Sequence, residues 1–128
     1  MLTITFLCAV NLVSAQEIWR ESFSVPEKGI WGAGDGTIMS DFSGIATWNI
    51  GFDENEINLA DADDYAKTVS TSGGRFEVRD IDGEIVWHSK RIDISGFEKV
   101  DVELTASETG SGANTETKYL KAFYRLDD

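Results

Sequence analysis

Between residues 75 and 126, apolar side chains recur at every second position in one segment after another. Phe76 and Val78, Ile85 and Trp87, Ile92 and Ile94, Val100, Val102 and Leu104, then Leu120, Ala122, Tyr124 and Leu126 all alternate with polar neighbours. Successive side chains of an extended strand point to opposite faces, so a period of two gives each segment one apolar and one polar face. Ribbons of that kind are satisfied when two antiparallel sheets pack face to face around a single core. The pattern predicts an all-β chain, an antiparallel β-sandwich.

The remaining segments divide at turn formers. Residues 18–23 read as a first strand stopped by Pro26, and Gly29, Gly32, Gly34 and Gly36 mark residues 29–36 as a glycine-dense loop. Residues 45–50 alternate again. Residues 53–64 are acidic and match neither helix nor strand spacing, which predicts a loop with a short strand near Ile57. Residues 65–69 form a strand, and Ser72, Gly73 and Gly74 turn the chain. Residues 76–81 and 84–88 are joined by Asp82-Gly83, the two-residue signal for a tight hairpin. A strand over 97–105 and a polar loop over 109–117 precede the last strand. No helix, linker or internal repeat is visible.

The first fifteen residues contain no charged side chain, are largely apolar from Ile4 to Val13, and end in Ser14-Ala15 before Gln16. This reads as an export signal, residues 1–15, followed by one module over 16–128; a buried N-terminal strand is the alternative. The apolar run is too short to span a bilayer and no second one exists, so no transmembrane segment is expected. Cys8, the only cysteine, falls inside the signal, so disulfides cannot hold the module. The formal charge of −12, with Lys and Arg scattered, disfavours nucleic acid as a partner. The chain stops at Leu126-Asp127-Asp128, turn-like residues after an apolar segment, so a further hairpin partner is expected and the chain reads as a fragment lacking its final strands.

Six stretches carry a family resemblance: Asp64 to Val69, Gly74 to Glu77, Asp82-Gly83-Glu84, Trp87-His88-Ser89, Ile92 to Phe97, and Lys118 to Asp127. Together they resemble jelly-roll modules of secreted and cell-surface Bacteroidetes proteins, over nearly the whole of residues 16–128. The resemblance implies a jelly-roll type of sandwich, similar to carbohydrate-binding and lectin-like modules, and an accessory role beside enzymatic, adhesive or sorting domains. It carries no binding residues with it.

The residues supply their own candidates. His88, the only histidine, shares a polar strand face with Glu84 and Val86, and no nucleophile motif accompanies it, so no catalytic residues are expected. The glycine loop lacks the Lys and Ser/Thr of a phosphate cradle. Asp61, Asp63 and Asp64 could give several of the six to eight oxygens that calcium takes, although the spacing is not that of an EF-hand; a solvated acidic loop is the alternative. Flat rings stack on the apolar faces of sugars. Trp19, Trp48 and Trp87 lie in strand patterns and are assigned to the core, whereas Trp31, in the glycine loop, is the stacking candidate or a loop anchor. Tyr119, Lys121, Phe123 and Arg125 share one face of the last strand, as a glycan-facing ladder or as packing beneath further strands. The expected function is a non-catalytic exported module that binds polysaccharide or glycan, or mediates adhesion. The alternatives are a spacer or protein-interaction module, and an accessory domain of a secreted hydrolase. The oligomeric state is not legible.

Overall fold

The computed structural model describes residues 16–109 and 119–126. The chain divides after Gly96 into two compact units. In the first unit the strands are β1 (Gly29–Gly32), β2 (Ile38–Asp41), β3 (Trp48–Phe52), β4 (Tyr65–Val69), β5 (Arg75–Arg79) and β6 (Ile85–Ser89), with one 3-10 turn at Thr71–Gly73. They form two antiparallel sheets, β2-β1-β4-β5 and β3-β6. The fold is all-β, as the alternation requires.

The core lies between the sheets. Ile30 of β1 and Ala66 of β4 are buried with Ile57 and Leu59 from the acidic segment, and Ile50, Phe52 and Ile85 of the smaller sheet pack against them. At one end Trp48, 2 % exposed, is enclosed by Phe23, Phe42, Phe76 and Trp87 at ring separations of 5.8–6.3 Å. Trp19 leans on Trp87 at 6.4 Å. These edge-on and tilted contacts bury Trp48, while Trp87 and Trp19, expected in the core with it, are half-buried beside it. Thr68, also fully buried, is satisfied by bonding: its hydroxyl donates to the Val25 carbonyl and accepts from the Lys28 amide.

The glycine-dense segment is a strand for its first half, contrary to the expectation of a loop. β1 pairs with β2 on one side and β4 on the other, so it is a central strand of the larger sheet. Glycine is there for close approach. A Cβ on Gly32 would lie 2.3 Å from the Asp61 carbonyl oxygen and 2.6 Å from that of Leu59. A Cβ on Gly29 would lie 2.1 Å from the carbonyl oxygen of Ala66. Backbone that packs this tightly admits no side chain, and the same glycines that suggest a loop build a strand interior.

Other expectations change too. β5 and β6 belong to different sheets and are not a hairpin; Asp82 bridges instead to Asn58, which seats Ile57 and Leu59 in the core. Residues 18–23 form no strand, and their rings rather than a ladder hold them. β2 was not expected, because Ile38-Met39-Ser40-Asp41 is too short to show a period. Val78 is 55 % exposed although it shares the inner parity of Phe76, since a two-stranded sheet cannot cover all of a four-stranded one.

In the second unit, residues 97–109 and 119–126 contain no strand. Val102 and Tyr124, expected in the core, are 85 % and 84 % exposed, and Leu104, Leu120, Phe123 and Leu126 are exposed as well. Alternation sets which side of a ribbon is apolar, but a strand also needs a neighbour for its backbone N–H and C=O groups, and no ladder partner occurs among the described residues.

Candidate functional site

Residues directly opposite one another in an antiparallel ladder point to the same face. The register pairs Met39 with Trp31, Trp31 with Tyr65, and Tyr65 with Arg79, so these four side chains cross all four strands of the larger sheet in one row. The neighbouring row runs Asp41, Gly29, Lys67, Glu77, and Arg75 follows opposite Val69. Ile30, Ala66 and Thr68 have the opposite parity and are buried, so both rows stand on the outer face of the sheet.

Aromatic rings, cations and carboxylates are interleaved on this face. The Lys67 ammonium lies 4.7 Å from the centroid of the Tyr65 ring and 5.9 Å from that of Trp31. It also donates to Glu27 Oε2 at 2.7 Å. The Tyr65 hydroxyl donates to Glu77 Oε1 at 2.5 Å, and Arg75 Nε donates to Glu77 Oε2 at 2.7 Å. Arg79 pairs with Asp63 at 3.4 Å, while Lys28 donates to Asp41 at 2.6 Å and to Ser43 at 2.9 Å.

Titration follows these bonds. The Tyr65 hydroxyl, above all, holds the Glu77 carboxyl below its ordinary value, and accepting that bond makes Glu77 raise the Tyr65 phenol. Asp41 falls from 3.8 to about 2, first through Lys28 and then through Ser43. Hydrogen bonding to the charged form favours that form. The network therefore fixes Tyr65 in place, and the Trp31 ring, half-buried, remains the apolar surface of the row.

Trp31 thus stands on a rigid central strand rather than in a flexible loop. The last-strand ladder is not assembled: Tyr119, Lys121, Phe123 and Arg125 belong to a stretch with no strand, where Tyr119 is 50 % and Phe123 86 % exposed and Lys121 lies 4.3 Å over the Tyr119 ring. His88 is exposed, in register with Asn49 on β3, as its strand parity requires.

The acidic loop spends its carboxylates on itself. Asp64, 8 % exposed, accepts the amides of Ala60 at 2.6 Å and Asp61 at 3.2 Å through one oxygen. Asp61 accepts the Asp63 amide at 2.8 Å, and Asp63 faces Arg79. Among the described residues no three His, Cys, Asp or Glu side chains converge to hold a metal ion.

The sequence singles out Trp31 as a candidate, and the register adds as its neighbours Met39, Tyr65, Lys67, Glu77 and Arg79, which the sequence does not single out. The alternation of Tyr65, Lys67 and Val69 with Ala66 and Thr68 was the available signal, and it states a parity without saying which parity faces outward. No family model, no curated protein and no solved structure matches the chain. Among the described residues no helix is long and apolar enough to cross a membrane.

Proposed function

We propose that the chain is a non-catalytic, exported β-sandwich module that binds carbohydrate on the outer face of its four-stranded sheet. One observation carries the reading: Trp31 sits mid-sheet in a row with Met39, Tyr65 and Arg79, flanked by hydrogen-bonding side chains on a rigid scaffold. An aromatic ring supplies contact with the apolar face of a pyranose, and fixed polar groups beside it orient the hydroxyls. Export follows from the reading of residues 1–15 as a signal. The jelly-roll type belongs to the same proposal, supported by the way the chain leaves one sheet for the other at β3, returns at β4, and leaves again at β6.

Glycan-array binding by the protein and by Trp31→Ala tests it. Binding that the substitution reduces at least tenfold, with the melting midpoint preserved, is the expected result; binding that survives unchanged removes the site.

A second reading, adhesion to another protein, is favoured by the exposed Val102, Leu104, Leu120, Phe123, Tyr124 and Leu126. Exposed apolar side chains, where they join into one patch, mark interaction sites. Loss of binding to a surface partner on replacing Phe123 and Tyr124, with glycan binding absent, would favour it over the first.

A further inference from the structure

The outer face holds a device beyond a stacking ring, and its charges narrow the ligand. We propose, resting on the carbohydrate reading above, that the face takes an uncharged sugar ring and that Lys67, latched by Glu27, is the gate this ring displaces from Trp31.

The class of ligand follows from charge balance. Four cations border the face and each has a carboxylate: Lys28 with Asp41, Lys67 with Glu27, Arg75 with Glu77, Arg79 with Asp63. No surplus of positive charge greets a uronate or a sulfate, and the chain as a whole carries −12. An anionic sugar would have to strip a cation of its partner and approach against that field.

The gate follows from geometry. Lys67 stands on the outer face, yet its side chain is only 17 % exposed, whereas its partner Glu27 is 67 % exposed. The Lys67 ammonium is held over the Tyr65 and Trp31 rings, 4.7 and 5.9 Å from their centroids. A sugar ring stacked on that side of Trp31 needs the space that Lys67 occupies. Tyr65 cannot yield, because Glu77 fixes its hydroxyl. Lys67 can, because its ammonium is held by one ion pair and by ring contacts at the end of a flexible four-carbon stem. Glu27 itself is anchored: its amide donates to the Thr68 carbonyl at 2.9 Å, so the latch has a fixed post.

A ligand that binds only the open arrangement has its apparent affinity reduced by the fraction of molecules that are open. The pair is open to solvent at its Glu27 end, where ion pairs are weak and screened by salt, so releasing it raises affinity by about two- to fivefold. Added salt therefore strengthens binding of a neutral sugar here, the reverse of its effect on an anionic one.

Two measurements test the proposal separately from the reading beneath it. Acrylamide quenching of the Trp31 contribution, taken as the difference between the protein and Trp31→Phe, needs no glycan. Glu27→Gln is expected to raise that quenching at least 1.5-fold, and so is 1 M NaCl, which shortens screening to about 3 Å; unchanged quenching in both overturns the gate. A glycan array carrying neutral, uronate and sulfated chains tests the class. Neutral chains bound two- to fivefold more tightly by Glu27→Gln than by the unmodified protein support it, and hits confined to anionic chains overturn it. An array without any hit overturns the carbohydrate reading itself, while the quenching result still decides whether Lys67 covers Trp31.

Discussion

Replacing Gly32 by alanine probes the least expected part of the structure, the strand made from a glycine-rich segment. The added methyl would meet the Asp61 carbonyl oxygen at 2.3 Å, the Leu59 carbonyl oxygen at 2.6 Å and the Asp61 carbonyl carbon at 3.0 Å. All three are backbone atoms, so no side chain can swing aside. The loop must move, and it is tied down. Asp64 accepts the amides of Ala60 and Asp61, its carbonyl accepts the Gly32 amide at 3.0 Å, and Leu59 is 2 % exposed in the core. Overpacking costs about 1–3 kcal/mol where neighbours can adjust, and a backbone clash coupled to a lost hydrogen bond belongs at or above the upper end, about 3 kcal/mol. For a small domain each kcal/mol moves the midpoint by about 4–8 °C, so a fall of about 12–24 °C is expected. The assay is thermal melting followed by far-ultraviolet circular dichroism. Gly34→Ala is the comparison: nothing lies within 4 Å of its Cβ, and only its φ of +85° opposes the change, at about 1–2 kcal/mol. Gly32→Ala melting within about 3 °C of the unmodified protein, or no lower than Gly34→Ala, would refute the packing of β1 against the acidic loop.

Acid should destabilise the fold in a defined window. Lys28 and Ser43 hold Asp41 at about 2, the Tyr65 hydroxyl lowers Glu77, and the amides of Thr37, Asn55 and Ser95 lower Asp35, Asp53 and Asp93. A carboxylate depressed by folding contributes stability that is complete above its unfolded value and disappears as pH falls through its folded value. The melting midpoint is therefore expected to be level above about pH 5 and to fall from about pH 4.5 towards pH 2, with Asp41→Asn flattening the lowest part of that fall. A midpoint that rises on acidification contradicts these bonds. Val102→Ser and Tyr124→Ser should each change stability by about 0.5 kcal/mol or less, as exposed positions do, and urea melts giving losses of about 2 kcal/mol or more would place both side chains in a core.

The class of fold was written in the alternation, because the side-chain period of a strand is a local property of the backbone. β4 was read with its bounds, and β3, β5 and β6 to within a few residues, since each carries its own apolar and polar parity. The acidic character likewise needs nothing but residue types. Pairing is different. Whether Asp82-Gly83 closes a hairpin or passes from one sheet to the other depends on Asn58, twenty-four residues earlier. The glycines of 29–36 favour a loop until the carbonyls of Leu59, Asp61 and Ala66 come within the reach of a Cβ, which only the packed chain supplies. The alternating segments beyond Gly96 show that parity without a ladder makes no strand. Trp31 could be picked out as a ring worth testing, but its row with Met39, Tyr65 and Arg79, and the lysine held over it, exist only in the register between strands. Sequence states which residues alternate; tertiary structure decides which face is covered, because burial belongs to the partner as much as to the strand.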